Sequence, residues 1–77
     1  MEQAYEDAAK RLSENVKKAR RKIGLSQEGL ALKAGVNRSY VGQIERGVGN
    51  PSLRVLTKLA MTLEVDLADL LKREKTR

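Results

Sequence analysis

The sequence predicts an all-α protein with five helices. Glycines divide the chain into segments of about ten residues or more, in which apolar residues recur every three or four positions, the spacing of one helix face. Only two aromatic residues occur, Tyr5 and Tyr40, and no segment is rich in the aromatic and β-branched residues of strands. The chain's 77 residues suffice for one small domain. We therefore expect a compact single domain over 1–77, with a helical N-terminal extension (1–11), a core (12–71) and a basic tail (72–77).

The first predicted helix runs from Gln3 to Ile23 and ends at Gly24. Acid-before-base pairs four residues apart, such as Glu6 with Lys10, stabilise it by about 0.2–0.5 kcal/mol each. Acidic residues gather at its start and basic ones at its end, as the helix dipole favours. Its apolar stripe consists of Tyr5, Ala8, Leu12, Val16, Ala19 and Ile23.

The second and third helices are predicted from their caps. Ser26 is a good N-cap for a helix that reaches Ala34, and Gly35 can adopt the left-handed turn that closes it. Asn37 caps the third helix, which runs from Arg38 to Arg46. The inner side of the third helix is expected to carry Val41, Ile44 and Glu45.

The fourth and fifth helices follow a loop that contains Asn50 and Pro51. Ser52 is the predicted N-cap of the fourth helix and Asp66 that of the fifth. The inward residues of the fourth helix are Leu53, Leu56, Leu59, Ala60 and Leu63, and the apolar residues of the fifth helix are Leu67, Leu70 and Leu71.

The composition excludes several kinds of site. The chain has no cysteine and no histidine, so thiol chemistry, imidazole catalysis and the usual zinc ligands are absent. Without a paired-carboxylate constellation either, we expect neither an enzyme nor a metal or cofactor site. No apolar run approaches the roughly 20 residues that span a bilayer, and residues 1–10 lack the apolar stretch of a signal peptide. We therefore expect a cytoplasmic protein with no membrane partner.

The charge balance favours a polyanionic partner. The chain has 16 basic and 10 acidic residues, a formal net charge of +6. On so small a surface this surplus indicates nucleic acid first and an anionic membrane second. The basic run at 17–22 is most simply an exposed helix face, from which Arg20 turns inward.

The second and third predicted helices are joined only by residues 35–37, of which Val36 is an apolar plug. Two short helices with so tight a turn have the geometry of a helix-turn-helix, whose second helix enters the DNA major groove. An arginine can donate twice to guanine O6 and N7, and a glutamine can pair with adenine N6 and N7. Arg38 and Ser39 lie in the first turn, the end that usually reaches the bases. Arg38 and Ser39 at this end, and Gln43 further along the outer face of the third helix, are therefore candidates for base contacts.

Several motifs in this region occur together with consistent spacing. They are Gly24-Leu25-Ser26-Gln27-Glu28-Gly29-Leu30-Ala31, Ala34-Gly35-Val36, Ile44-Glu45-Arg46-Gly47 and Asn50-Pro51-Ser52-Leu53. With Leu56, Leu59-Ala60, Leu63, Val65 and Leu67, they resemble the Cro/phage-repressor (XRE-like) helix-turn-helix family from Leu12 to Leu71. Residues 38–46 look most like restriction-modification controller proteins, which are small free-standing regulators. Gly29 departs from the family pattern and is expected to loosen the second helix by up to about 1 kcal/mol.

The resemblance implies a five-helix repressor-like domain that binds operator DNA, and it assigns roles to further residues. Gln27 would grip a phosphate with its side chain and its backbone N–H. Tyr40 would lie against the sugar-phosphate backbone or a thymine methyl, and Arg46 and Asn50 would hold phosphates on the far side of the groove.

An internal ion pair is also implied by the resemblance, since Arg20 and Glu45 match positions that tie the first helix to the third in relatives. Simpler roles remain open for some contacts. Tyr40 could pack against its neighbours, Arg46 could interact with the end of its own helix, and Gln43 could contact phosphate or water.

A homodimer is expected because one such domain makes few base contacts, each worth about 1–3 kcal/mol of discrimination. Two domains about 34 Å apart would read two half-sites of a two-fold operator. The dimer interface is expected near the fifth helix, although its leucines could instead close the core. The N-terminal extension is expected to pack against the fifth helix of its own chain or of the partner. The predicted interface residues are Val65, Leu67, Leu70 and Leu71.

The leading functional hypothesis is a sequence-specific transcriptional regulator, an autoregulating controller protein of a restriction-modification system. Double-stranded operator DNA is its expected partner, and RNA polymerase is a further candidate. An antitoxin or prophage-type repressor is the alternative within DNA binding. A protein-binding adaptor that keeps the fold without reading bases is the alternative from another class.

Overall fold

Five α-helices make up the described part of the chain. The computed structural model describes residues 2–73, which contain no strand, so residues 74–77 of the expected basic tail lie outside the described residues. None of the helices in residues 2–73 is long and apolar enough to span a membrane. The helices are α1 (Glu2–Lys22), α2 (Gln27–Ala34), α3 (Arg38–Glu45), α4 (Leu53–Leu63) and α5 (Leu67–Leu71). The expected all-α, five-helix fold is confirmed.

The helices begin and end where local chemistry predicts. Ser26 Oγ accepts a backbone N–H of the first turn of α2 at 2.9 Å, and Asn37 Oδ1 does the same for α3 at 2.8 Å. Ser52 caps α4 in the same way at 3.1 Å, and Asp66 precedes α5 in the extended conformation of an N-cap. Gly35 closes α2 with a left-handed φ of 72°. The three side-chain caps and the Gly35 turn satisfy donors or acceptors that a helix end leaves without a partner.

The core lies where all five helices meet. α1 packs against α3 and α5, α2 packs against α3 and α4, and α4 packs against α5. The stripes predicted from sequence supply most of the buried side chains. These are Leu12, Val16, Leu30, Ala31, Val41, Ile44, Leu56, Leu59, Ala60, Leu63 and Leu70.

Three residues of the predicted apolar stripes lie at the surface instead, and Tyr5, which is 45% exposed, is the first of them. Ile23 is 42% exposed because α1 ends at Lys22 and the chain then turns, which brings Leu25 onto the core in its place. Leu53 is 67% exposed because it starts α4 on the outer side, while Val55 packs against the core.

Polar side chains of α1 hold the end of α5 within the same chain. Arg11 Nε donates to the carbonyl of Leu71 at 3.0 Å, and Asn15 Nδ2 donates to the carbonyls of Leu70 and Lys72, each at 3.0 Å. A helix of five residues leaves most of its carbonyls without intrahelical partners. These contacts therefore stabilise α5 from α1.

Leu70 is a correction to the expected dimer interface. Its side chain is 1% exposed and fills the core of its own chain, which leaves almost no surface for a partner. Val65 and Leu67 are half-buried, and Leu71 is 37% exposed.

Candidate nucleic-acid interface

The turn between α2 and α3 fixes the direction of α3. The N–H of Gly35 donates to the carbonyl of Leu32 at 3.3 Å, and the N–H of Val36 donates to that of Ala31 at 3.0 Å. Val36 is half-buried and packs against the core. These two backbone hydrogen bonds are the usual way in which a helix ends at a glycine. The turn thus holds the two short helices in one relative orientation.

Helix α3 has a buried side and an exposed side. Val41, Ile44 and Glu45 face the core, where they are 0%, 2% and 6% exposed. Arg38 and Tyr40 are exposed on the other side, in the first turn of the helix. The donors in this turn are therefore available to a ligand outside the molecule.

Ser39 is exposed, and its hydroxyl is already engaged. Ser39 Oγ donates its proton to Asn37 Oδ1 at 2.8 Å, beside the cap bond from the Ser39 N–H. A hydroxyl has one proton and two acceptor lone pairs. In this arrangement Ser39 is presented as an acceptor, which suits the amino groups of adenine or cytosine.

Gln43 is half-buried and lies against the loop that follows α3. A Cβ placed on Gly49 would come within 2.9 Å of Gln43 Oε1, so the side chain passes close to this glycine. The N–H of Val48 also donates to the Gln43 carbonyl at 3.0 Å. The loop backbone therefore limits where the Gln43 amide can point. Asn50 is exposed in the same loop.

A nearly buried ion pair links α1 to α3. Arg20 Nε donates to Glu45 Oε2 at 2.6 Å, and Arg20 Nη2 donates to Glu45 Oε1 at 3.0 Å. The remaining Nη1 donates to the Leu25 carbonyl at 2.8 Å. The two side chains are only 11% and 3% exposed. This bidentate pair is the one that the resemblance implied, and such pairs are directional as well as strong.

The pair stays charged although it is buried. Burial alone would raise the pKa of Glu45, but hydrogen bonds from Arg20 and Gln27 and the charges of Arg20 and Lys17 outweigh burial and hold that pKa below its ordinary value. The hydrogen bond with Glu45 raises the pKa of Arg20 in turn, against the opposing effect of burial. The ionised carboxylate is therefore the favoured form in the folded protein.

Gln27 makes a contact that sequence reasoning missed. Its Nε2 donates to Glu45 Oε1 at 3.0 Å, so the side chain expected on a phosphate is tied to α3. The backbone N–H of Gln27 remains in the first turn of α2, where helices leave donors without intrahelical partners. The predicted inward position of Glu45 already indicated such a contact, because a buried carboxylate needs several hydrogen-bond donors.

Ser13 is a second residue that sequence reasoning missed. It is 6% exposed, and its Oγ donates to the carbonyl of Glu45 at 2.6 Å. This bond joins α1 to the last turn of α3, beside the ion pair. The only sequence signal was the position of Ser13 next to Leu12 on the buried side of α1.

Arg46 folds back over its own helix. A Cβ on Gly42 would lie 3.3 Å from Arg46 Nη1, so the guanidinium crosses α3 one turn before its own position. The same Cβ would lie 4.0 Å from Gln27 Oε1. The absence of a side chain at Gly42 therefore lets Arg46 approach the start of α2.

Replacing Gly42 by alanine is expected to stabilise the protein and to displace the Arg46 side chain, for which the resemblance implies a contact with a DNA phosphate. Glycine inside a helix costs about 0.5–1 kcal/mol relative to alanine. The added methyl group would lie 3.3 Å from the flexible end of Arg46 and, at 4.0 Å, in ordinary contact with Gln27 Oε1. If the Arg46 guanidinium holds a phosphate, as the resemblance implies, its displacement should lower DNA affinity by up to about a hundredfold, since a hydrogen bond to a charged group contributes about 1.5–3 kcal/mol. Urea unfolding and fluorescence anisotropy with a labelled duplex measure the two effects. In an Arg46→Ala background the affinity loss should vanish, and a lower unfolding free energy for Gly42→Ala would contradict the argument.

Comparison with known proteins identifies the architecture. A family model described as "Helix-turn-helix" matches residues 16–70, which is more than half of the chain. The chain belongs to this helix-turn-helix family. The match spans the two short helices, their turn, α4 and parts of α1 and α5, so the family predicted from the motifs is confirmed.

Named relatives within the helix-turn-helix family include controller proteins. Control protein C.SmaI of Serratia marcescens is 39% identical over 70 residues, 91% of this chain and 83% of the relative. The crystal structure of the restriction-modification controller protein C.AhdI from Aeromonas hydrophila has a TM-score of 0.76 and 40% identity, and the match covers 80% of this chain and 94% of that one. The regulator SlrR of Bacillus subtilis is 46% identical over 56 residues, 71% of this chain, but the match spans only 37% of SlrR.

Three of the predicted site residues of this helix-turn-helix chain lie together in one turn, and the others lie at the loop after α3 or near α2. Arg38, Ser39 and Tyr40 share the first turn of α3 and are exposed. Gln43 lies beside the loop that carries Asn50, and Arg46 reaches back toward α2.

Proposed function

We propose that this DNA-binding regulator is an autoregulating controller protein of a restriction-modification system, and that it binds a two-fold operator as a dimer. One observation carries the proposal: α3 exposes the donors of its first turn while its opposite side is anchored in the core through Glu45. A rigid helix with an outward polar face suits readout of base edges in the major groove. The likeness to C.SmaI and C.AhdI over most of their length supports the controller role.

The proposed contacts fall into two groups. Arg38, Ser39 and Gln43 contact base edges, and they decide which sequence is bound. The other group positions the protein on the duplex without reading its sequence. It consists of Gln27 through its backbone N–H, Tyr40, Arg46 and Asn50.

The proposed dimer follows from the small number of base contacts in one domain. Val65, Leu67 and Leu71 retain surface near α5 for a contact between protomers. Two recognition helices about 34 Å apart then face successive major grooves on one side of the duplex. Binding beside its own promoter would place the regulator next to RNA polymerase, the remaining proposed partner. We propose that the regulator binds its operator in the cytoplasm, without a cofactor and without enzymatic activity.

Selection of bound duplexes from a random pool tests this proposal directly. The expected result is a palindromic site whose half-site centres lie about 34 Å apart. At physiological salt the selected duplex should bind far more tightly than a scrambled one, and contacts with about six phosphates should give a log–log salt slope near −5. Equal binding of the two duplexes would refute the proposal, and the absence of salt dependence would favour the protein-binding adaptor. Co-purification of a small neighbouring protein would favour the antitoxin.

Replacing Arg38 by alanine is expected to relax specificity at one base pair of each half-site. Loss of a bidentate contact with a base should cost about 1–3 kcal/mol of discrimination there. Anisotropy titrations with duplexes that vary this base pair measure the effect. Lys17→Ala, which removes a charge from α1, should leave the sequence preference almost unchanged. An equal loss on every duplex would make Arg38 a phosphate contact instead.

A further inference from the structure

Tyr5 makes a long-range contact from outside the segment that the family model matches. Its Oη donates to the carbonyl of Gly49 at 2.5 Å, across 44 positions of the chain. Gly49 belongs to the loop between α3 and α4, which also carries Asn50. The first turns of α1 therefore touch a segment that we place at the DNA backbone.

The Tyr5 side chain lies at a hollow that is lined mostly by apolar residues. It is 45% exposed, and it lines a hollow of about 120 Å³ between α1, the loop and α4. Ala8 and Leu12 contribute the α1 side of this hollow, and Pro51 and Leu56 contribute the other side. The hydroxyl of Tyr5 thus supplies the directional contact with the loop.

Gly49 connects Tyr5 to Gln43. Its φ is 83°, in the left-handed region that favours glycine. A Cβ at this position would lie 2.9 Å from Gln43 Oε1 and 3.4 Å from Gln43 Cβ, so the backbone of Gly49 and the side chain of Gln43 are in close contact. A shift of this peptide would therefore move the surface against which the Gln43 amide rests.

The same peptide also orients Asn50. The carbonyl of Gly49 and the N–H of Asn50 belong to one planar trans peptide, in which they point in opposite directions. When Tyr5 Oη holds the carbonyl, the Asn50 N–H must point away from Tyr5. One hydroxyl thus determines the direction of a loop donor.

We propose that Tyr5 is a positioning residue for DNA recognition: through its bond to Gly49 it orients the Asn50 peptide for the DNA backbone and limits the rotation of the Gln43 side chain toward the bases. This inference rests on the proposed function. The N-terminal extension then contributes to binding without touching the operator.

Tyr5→Phe is the test, because it removes the hydroxyl and keeps the ring. Thr57→Val is the matched control, since it removes a hydroxyl that donates to the carbonyl of Leu53 at 2.9 Å on the exposed side of α4. Tyr5→Phe should weaken binding of the full chain to the selected operator by about three- to tenfold, the scale of one hydrogen bond. Thr57→Val should bind the operator within about twofold of the wild-type affinity. The changes in Tm that Thr57→Val and Tyr5→Phe cause should be similar.

A second measurement separates positioning from a general loss of stability. In ¹H–¹⁵N spectra without DNA, Tyr5→Phe should shift the amide signals of Gly49 and Asn50 and the side-chain amide of Gln43. Thr57→Val should leave these signals unchanged. A Tyr5→Phe protein whose Asn50 and Gln43 signals do not move would overturn the inference without any DNA measurement.

The affinity data keep the two proposals distinct. A wild type that does not discriminate between selected and scrambled duplexes would refute the proposed function. The spectra would still show whether the Tyr5 hydroxyl orients the loop at Gly49 and Asn50. A wild type that discriminates, together with a Tyr5→Phe affinity equal to that of Thr57→Val, would refute the positioning role alone.

Discussion

Replacing Glu45 by alanine is expected to lower the free energy of unfolding by about 3–5 kcal/mol, the range for breaking a buried ion pair by removing one partner. The change leaves the Arg20 guanidinium buried and without its carboxylate, and it also removes the acceptor of Gln27 Nε2. A domain of this size has a stability near the lower end of about 5–15 kcal/mol. The variant should therefore retain only about 0–2 kcal/mol of stability and unfold at a clearly lower temperature than the wild type. Urea unfolding followed by circular dichroism measures the loss.

The matched control for this prediction is Glu14→Ala, which removes an exposed acidic side chain from α1. Substitutions of this kind usually change stability by less than about 0.5 kcal/mol. If both variants lost the same small amount, the Arg20–Glu45 pair would not hold α1 to α3.

The Arg20–Glu45 pair should also make the stability of the wild type depend on pH in the acidic range. The pKa of Glu45 is lower in the folded than in the unfolded chain, so its contribution to stability is present above the ordinary carboxyl pKa and is lost as the pH falls through the folded value. Below about pH 4.3 the wild type should lose stability more steeply than Glu45→Gln, whose side chain does not titrate. Parallel pH profiles for the two proteins would contradict the assigned cause.

Replacing Leu59 by alanine is expected to destabilise the protein by about 2–5 kcal/mol. Leu59 has no exposed surface and lies in the middle of α4, where it packs into the common core. The substitution removes buried apolar surface and leaves a cavity that neighbouring side chains only partly fill. Denaturant unfolding should show a lower midpoint with an unchanged slope, because the folded state remains equally compact.

Leu53→Ala is the control, since it is the same substitution in the same helix at a side chain that is 67% exposed. It should change stability by less than about 0.5 kcal/mol. A loss as large as that of Leu59→Ala would mean that the outer side of α4 is also buried, for example between two protomers.

Local chemistry explains why so much of the fold could be predicted. Ser26, Asn37 and Ser52 each cap a helix within three residues of their own position, and Gly35 closes α2 through its own backbone angle. Such contacts depend on the backbone geometry of neighbouring residues, which can be predicted from residue type and spacing along the chain. The inward position of Glu45 on α3 followed from helical periodicity in the same way.

Other parts of the site could not be predicted from local pattern. The bond from Tyr5 to Gly49 joins residues 44 apart, and that from Ser13 to the Glu45 carbonyl joins residues 32 apart. Gln27 was expected to face DNA, yet it donates to Glu45. Each of these contacts depends on the angle and distance between two packed helices, which a single sequence does not specify.

By itself, the sequence determined five helices, their caps, the inward stripes and a polar outer side on α3, because these depend on residue type and spacing along one segment. Only the tertiary structure decided that Leu70 belongs to the core, that Arg46 crosses Gly42, and that α1 reaches the loop after α3. The physical reason is that long-range contacts form only after the helices have packed, when side chains far apart in the chain compete for the same buried donors, acceptors and space.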